Sequence, residues 1–180
     1  SHTLVKEKKD GTIKGRTVAD GRKQCGTISE EDAASPMTAL DALLLTCIID
    51  AKECRKVATL DIPNAFIQSD MPEGEMVIMI LRKKITDLLV EVAPNVYRDY
   101  LITTKDGGRM IYMKLLKAIY GLLQSASLFY LNITEFLVKK LKFILNLYDP
   151  CIANKMINRS QFTVVWHVDD LKVSHLDKNN

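Results

Sequence analysis

Two adjacent aspartates near the C-terminus constrain the fold of this chain more than any other feature. Asp169 and Asp170 lie between two runs rich in Val, Leu and Thr, in the stretch FTVVWHVDDLKVS that begins at Phe162. Such runs around a polar pair are typical of a β-hairpin, with the pair at its turn. Because Asp is itself a turn-forming residue, the simplest interpretation of the pair alone is a solvated loop.

A third carboxylate gives the pair a chemical interpretation. Asp61 lies in a strand-like run, VATLDIP, that begins at Val57. If the two segments are neighbouring strands of one sheet, the three carboxylates could converge. Hard divalent cations prefer such oxygen ligands, and two ions about 3.5 to 4 Å apart stabilise both the attacking and the leaving oxygen of a phosphoryl transfer. The pattern therefore indicates a divalent-metal site.

Three short motifs resemble those of a known family. They are D-x-x-x-A-F at 61–66, KAIYGLLQSA at 117–126 and HVDD at 167–170. In order and spacing they resemble motifs A, B and C of copia-type LTR-retrotransposon reverse transcriptases. The N-terminal block KGRTVADGRKQ adds to the resemblance, which covers essentially the whole chain.

The resemblance implies an α+β fold, the fingers and palm of a right-handed polymerase, with an antiparallel palm sheet packed on helices and no thumb. It implies a basic fingers hairpin at 1–29 and a palm segment with a helix and the motif A strand at 30–68. A fingers or insertion segment up to motif B follows at 69–124, and a palm segment with the motif B helix and the motif C hairpin at 125–180.

Local patterns predict individual elements. Alternating β-forming and charged residues around the Asp-Gly pair at 10–11 predict an N-terminal hairpin. Ser35-Pro36 is typical of a helix start. The apolar residues that follow at helical spacing predict a buried stripe on that helix, which should lie against the sheet carrying Asp61. The stripe consists of Met37, Leu40, Leu43, Leu44, Cys47 and Ile48. A further helix is predicted from Ser125, and residues 148–158 are interpreted as a connection.

The resemblance assigns catalysis to the three carboxylates. Asp61 and Asp169 would bridge two Mg²⁺ ions, for which Mn²⁺ could substitute, while Asp170 supports them and the carbonyl of Ile62 is a further ligand. One ion would lower the pKa of the primer 3′-hydroxyl, and the other would hold the triphosphate and stabilise the leaving pyrophosphate. No side-chain nucleophile is needed.

The resemblance also implies a set of residues that contact the incoming nucleotide. They are Lys9, Arg16, Phe66, Tyr120 and Gly121. The lysine and the arginine would grip the triphosphate, and Lys8 fits the lysine position as well as Lys9 does. Phe66 would be a steric gate that fills the space of a ribose 2′-hydroxyl. Glycine at 121 would let the backbone approach the sugar closely.

Template and primer contacts are expected from Asp20, Arg22, Gln124 and His167. Motif B departs from the usual pattern YGLKQAPRAW, because Leu123 replaces a lysine, Ala126 a proline and Ser127 an arginine. Two positive charges beside the nucleotide or template are thereby lost. His167 stands where relatives usually have Tyr or Phe, and it is expected to pack near the primer terminus.

Charge and composition agree with a polyanionic partner. The net charge is +3, but residues 1–24 hold seven basic residues against three acidic ones. Such a segment suits an RNA or DNA template with its primer, or a deoxynucleoside triphosphate. The four cysteines form no C-x-x-C pair, which favours free buried thiols over zinc ligands. No apolar run approaches the length of about 18 residues that a membrane span needs.

The absence of an initiator Met suggests a piece of a longer polyprotein whose integrase and RNase H lie outside the chain. A cytoplasmic location, in a virus-like particle with possible access to the nucleus, is expected. Three other interpretations stay open: an inactive relic that at most binds nucleotide or nucleic acid, a two-metal nuclease, and a protein in which the carboxylates serve structure alone. The oligomeric state is left open.

Overall fold

The structure, a computed structural model, describes residues 2–176. Within these residues ten strands form three antiparallel sheets. The strands are β1 (His2–Glu7), β2 (Ile13–Val18), β3 (Lys56–Asp61), β4 (Ile78–Arg82), β5 (Ile102–Thr103), β6 (Arg109–Lys114), β7 (Ile144–Leu145), β8 (Ile152–Ile157), β9 (Ser160–His167) and β10 (Asp170–His175). The helices are α1 (Glu30–Ala33), α2 (Leu40–Lys52), α3 (Lys84–Val92), α4 (Pro94–Tyr97) and α5 (Ser125–Glu135). The mixture of helices with antiparallel sheets confirms the α+β class.

The largest sheet has the strand order β3-β10-β9-β8-β7. On one face its apolar side chains pack against α5, which begins at Ser125 as predicted. Phe129 and Ile133 of that helix are buried together with Val164 and Trp166 of β9. This is the main hydrophobic core, and Leu171 and Val173 of β10 pack against it.

The other face of the sheet is covered by α2, as predicted, but most of the predicted stripe is exposed. Leu40 is 68%, Leu44 51% and Ile48 64% exposed, and Met37 and Cys47 are exposed as well. Of the stripe, Leu43 is half-buried beside the sheet. Thr46 and Asp50 lie next to it and accept hydrogen bonds from Lys172 of β10. Apolar spacing identifies the helix but does not show which of its faces is buried, because polar partners on β10 decide that here.

The predicted start of α2 at Ser35-Pro36 is also wrong, since the helix begins at Leu40. Its N-cap residue Ala39 has no side chain that could accept a hydrogen bond. The carboxylate of Asp149 takes that role across the fold, accepting hydrogen bonds from the Ala39 N–H at 2.9 Å and the Thr38 hydroxyl at 3.1 Å. A cap supplied by a residue so distant in sequence leaves no local signal.

Residues 148–158, interpreted as a connection, contain strand β8. This strand joins β9 through the two-residue turn Asn158-Arg159, in which both residues have positive φ, 50° and 61°. Turns of this kind usually contain glycine at the second position. Because arginine stands there instead, the sequence has the asparagine of the usual Asn-Gly turn but lacks its glycine.

The remaining sheets are short. β1 and β2 form the predicted N-terminal hairpin, and β4, β6 and β5 form a three-stranded sheet. No helix of the described residues is long and apolar enough to cross a membrane. The cysteines are free thiols, but the predicted burial holds only for Cys151, since Cys25, Cys47 and Cys54 are exposed on surface segments.

Candidate active site

The backbone of the large sheet brings the three predicted carboxylates to one end of two neighbouring strands. Asp61 is the last residue of β3 and Asp170 the first of β10, and the two lie directly opposite each other in the ladder. Asp169 precedes Asp170 in the turn, and its carbonyl accepts a hydrogen bond from the Ile62 N–H at 2.9 Å. Opposed residues of antiparallel strands have Cα atoms about 4.5 to 5.5 Å apart. Motifs A and C are thus joined at this point.

The turn that carries Asp169 has an unusual backbone. Strands β9 and β10 are connected by only two residues, Val168 and Asp169, because His167 pairs with Asp170. Val168 has φ 55°, in the left-handed region that β-branched residues avoid. Positive φ at the first position of a two-residue hairpin turn is ordinarily supplied by glycine. Strained residues of this kind gather at functional sites.

The carboxylates have the chemistry of a divalent-metal site. Within residues 2–176, none of Asp61, Asp169 and Asp170 forms a side-chain hydrogen bond or an ion pair with the protein. Asp61 and Asp170 are exposed, and Asp169 is half-buried. No group of three or more His, Cys, Asp or Glu side chains in the described part of the chain is close enough to hold a metal ion. The donors therefore suit Mg²⁺ in kind and in availability, but their side chains do not form a closed ligand set.

A cavity of about 540 Å³ lies between the sheet and α2 and opens onto Asp61 and Asp170. Asp61, Asp170 and His167 line it from the sheet, and Leu43 and Cys47 line it from α2. Lys172 also reaches this cavity, but its ammonium is engaged by Asp50 and Thr46. The nearest cation on β10 is thus paired with the helix and forms no ion pair with Asp61 or Asp170.

A row of aromatic rings joins the motif A segment to motif B and to the N-terminal hairpin. The rings of Phe66 and Tyr120 meet edge to face, with centroids 4.7 Å apart, and Phe66 also contacts Phe129 of α5. The guanidinium of Arg16 on β2 lies over the Tyr120 ring, 5.1 Å from its centroid. Three residues predicted to contact the nucleotide are therefore neighbours.

The two glycine-containing segments beside this row touch backbone to backbone. The N–H of Ala19 donates to the carbonyl of Tyr120 at 2.8 Å. Gly121 has φ 90°, and a Cβ there would overlap the carbonyl oxygen of Ala19. A Cβ at Gly21 would in turn overlap the carbonyl oxygen of Gly121. Glycine at 121 is thus needed for the contact between hairpin and motif B, and its close approach to the sugar stays a prediction.

One predicted nucleic-acid contact, Gln124, is engaged within the protein. Gln124 is only 4% exposed, and its amide lies between Gln24, at 3.2 Å, and Glu75, at 2.6 Å. Gln24 also accepts a hydrogen bond from the Leu123 N–H at 3.0 Å. The sequence did not single out Gln24 or Glu75, and only a contact between segments far apart in the chain reveals them.

The other predicted contacts lie on the surface. Arg22 is paired with Asp20 through two hydrogen bonds of 2.8 and 3.0 Å, which raise the pKa of the arginine above its usual value. His167 is exposed beside the carboxylates. Lys9 is exposed in the loop between β1 and β2, as is Lys8, so the choice between them stays open.

Comparison with known proteins agrees with this arrangement. The family model for reverse transcriptase (RNA-dependent DNA polymerase) matches residues 1–180. The chain belongs to the reverse transcriptase family. It is also 24% identical over 181 residues to the retrovirus-related Pol polyprotein from transposon TNT 1-94 of Nicotiana tabacum. The alignment covers 97% of this chain and 12% of the tobacco polyprotein. No solved structure matches the chain.

The copia-type resemblance predicted from the three motifs is thereby confirmed. In this reverse transcriptase chain, motifs A and C meet through the ladder between β3 and β10, and motif B reaches motif A through the ring of Tyr120. The contacts that hold α2 over the same sheet, made by Lys172 and Asp149, were not predicted.

Proposed function

We propose that this chain is the fingers and palm of an RNA-directed DNA polymerase that transfers a nucleotide from a deoxynucleoside triphosphate to a primer 3′-hydroxyl. The observation that carries the proposal is the pairing of Asp61 opposite Asp170, with Asp169 bound to the next residue of motif A. Carboxylates on neighbouring strands that have no protein partner within residues 2–176 are available to divalent cations.

Asp61, Asp169 and Asp170 would hold two Mg²⁺ ions, with the Ile62 carbonyl as a further ligand. When bound, such ions supply Lewis-acid activation of the primer hydroxyl and charge neutralisation at the leaving pyrophosphate. The protein's own contribution is to orient the carboxylates. The hydrogen bond between Ile62 and Asp169 ties the motif A strand to the motif C turn, so the two sources of ligands keep a fixed separation.

The nucleotide would lie beside the row of rings. Among the described residues no carboxylate pairs with the Arg16 guanidinium, so its five donors remain available to phosphate oxygens. Lys9 or Lys8 would add charge from the hairpin loop. Phe66 would exclude a ribose 2′-hydroxyl by occupying its space, because a packed ring cannot yield to one extra oxygen.

The template and primer are proposed to run along the basic hairpin and past His167. The name of the tobacco relative, a Pol polyprotein from a transposon, supports the proposal that this chain works within a retrotransposon polyprotein. The division into fingers (1–29 and 69–124) and palm (30–68 and 125–180), and a cytoplasmic particle as the location, belong to the same proposal.

Primer extension on an RNA template with deoxynucleotides and Mg²⁺ or Mn²⁺ tests the proposal. It should be run on the chain and on the same segment joined to its native downstream residues. Asp169→Asn removes one carboxylate charge without changing side-chain size, and we expect it to abolish extension while the thermal unfolding midpoint stays unchanged. The control is Asp99→Asn, at an exposed aspartate outside the site, which should extend like the unaltered protein.

Extension retained by Asp169→Asn would refute the assignment. If the well-folded chain binds nucleotide or nucleic acid but extends no primer in either form, a binding module without turnover replaces the polymerase. Phe66→Ala separates a polymerase from a two-metal nuclease, because a nuclease does not use the ring. Incorporation of ribonucleotides by this variant supports the polymerase, and unchanged cleavage activity supports the nuclease.

A further inference from the structure

Tyr120 touches two groups that the proposed polymerase would use for different tasks. One face of its ring carries the guanidinium of Arg16, and its other contact is the edge-to-face packing with Phe66. Arg16 and Phe66 come from separate segments of the chain. The ring of Tyr120 is therefore the physical link between a phosphate-binding cation and the steric gate.

The position of this ring is fixed from two directions. Phe66 also packs edge to face against Phe129 of the buried core, with ring centroids 6.2 Å apart. The backbone of Tyr120 is hydrogen-bonded to Ala19, three residues after Arg16, and the next residue, Gly121, packs so closely on Ala19 that a Cβ there would overlap its carbonyl oxygen. The hairpin, motif B and the core thus converge on one side chain.

The Tyr120 hydroxyl takes no part in these contacts. Among residues 2–176 it has no hydrogen-bond partner. Arg16 likewise has no described carboxylate that orients it, so the ring is its one described anchor. An exposed arginine otherwise samples many rotamers, and a cation over an aromatic face loses much of that freedom before the ligand arrives.

We propose that Tyr120 is a positioning residue that holds Arg16 and Phe66 at a set separation, so that triphosphate affinity and exclusion of ribonucleotides depend on the same ring. The inference rests on the proposed function and deepens it. It makes a prediction that independent sites would not make. One substitution at Tyr120, which is neither the phosphate-binding cation nor the steric gate, changes triphosphate affinity and sugar selectivity together.

The test is equilibrium binding of dGTP and of GTP, with Mg²⁺ and an RNA template whose primer ends in a dideoxynucleotide, so that no bond forms. We expect Tyr120→Leu to raise the Kd for dGTP about three- to tenfold. The Kd for GTP divided by the Kd for dGTP should fall by a similar factor, because ribonucleotides are then excluded less well. Tyr120→Phe, which keeps the ring, should restore both values. Tyr100→Leu, at a tyrosine that is 66% exposed elsewhere, is the matched control and should change neither.

Two further variants separate positioning from a general loss of structure. Arg16→Lys keeps the charge but loses the planar contact, and should raise the Kd of both nucleotides while their ratio stays the same. Phe66→Leu removes the ring that supports Tyr120 without touching Arg16. It should weaken dGTP binding as well as narrow the ratio, and it carries the test if Tyr120→Leu does not fold.

The inference is overturned if Tyr120→Leu folds and changes neither property or only one, if Tyr120→Phe behaves like Tyr120→Leu, or if Phe66→Leu alters the ratio alone. These outcomes differ from failure of the proposed function. A wild-type chain that binds neither nucleotide would refute both, whereas a wild-type chain that prefers dGTP and is unaffected by Tyr120→Leu would refute only the role of Tyr120.

Discussion

Helices α2 and α5 cover opposite faces of the same sheet, and they are attached in different ways. α5 buries Phe129 and Ile133 among apolar side chains of the sheet. α2 leaves Leu40, Leu44 and Ile48 exposed and is attached mainly through polar contacts. Hydrophobic burial is non-directional, so it holds α5 whatever the detailed geometry. Polar contacts act only at the right distance and angle, so they specify where α2 lies.

The polar attachment of α2 occurs at both of its ends. Asp149 caps the N-terminus, and Lys172 reaches Asp50 near the C-terminus. Between these points lies the cavity that opens onto Asp61 and Asp170. The face with the candidate catalytic groups is therefore the one held by few directional contacts, and the closed core lies on the opposite face. The apolar core on the α5 face stabilises the sheet, and the cavity on the α2 face gives a ligand access to the carboxylates.

The largest effect on stability is expected from the α5 side. Phe129→Ala removes a side chain that is 3% exposed, and we expect a loss of about 3 to 5 kcal/mol in the free energy of unfolding, because a cavity remains in a packed core. Urea denaturation measures it. The matched control is Phe136→Ala at the end of the same helix, where the ring is 53% exposed and the cost should be within about 0.5 kcal/mol. Equal losses would contradict the assignment of the core to this face.

The next effect tests the α2 side. Lys172→Met leaves the Asp50 carboxylate, whose second oxygen already lacks a partner among the described residues, buried and without its cation. We expect a loss of about 3 kcal/mol. Adding Asp50→Leu should recover most of it, because the unpaired charge is then gone. Lys139→Met, which removes an exposed ion pair with Glu135, should cost no more than about 0.5 kcal/mol.

A double variant as unstable as Lys172→Met alone would show that loss of the lysine stem, and not the unpaired carboxylate, causes the damage. A single variant with no loss would mean that α2 is held by its half-buried apolar residues, and the contrast between the two helices would then disappear. Both results come from the same urea measurements.

The difference between the two helices also explains how far the sequence could predict the fold. α5 and the motif C hairpin follow from local patterns, and both were predicted. The side of α2 that faces the sheet was not, because Leu40, Leu44 and Ile48 are exposed, whereas Thr46 and Asp50 contact Lys172 of the sheet. Their partner, Lys172, is more than a hundred residues away in sequence. A periodicity argument assumes that the buried side of a helix is the apolar side.

The candidate site shows the same division. Asp61, Asp169 and Asp170 were predicted as a group, because short motifs with fixed spacing identify them. The contacts that position neighbouring groups were not predicted. Tyr120 lies between Phe66 and Arg16 through tertiary packing, and no spacing rule connects these three segments. Local motifs therefore supply the reactive groups, and long-range contacts supply their arrangement.

The smallest effect on stability is expected at the turn between β9 and β10, which carries Asp169. Val168 has φ 55°, a conformation that costs a non-glycine residue about 1 to 2 kcal/mol, whereas asparagine tolerates it better. Val168→Asn should therefore raise the free energy of unfolding by about 1 kcal/mol. The control, Val57→Asn on β3, lacks positive φ and should lower it by a few tenths of a kcal/mol, because asparagine is a poor strand former.

If Val168→Asn destabilises the protein as much as Val57→Asn does, the packing of the half-buried valine outweighs the backbone strain. If it stabilises the protein, the turn carries strain that the pairing of β9 with β10 and the core beneath them hold in place. The apolar core under α5 would then stabilise the unfavourable backbone conformation of Val168, which lies next to Asp169 and the open cavity.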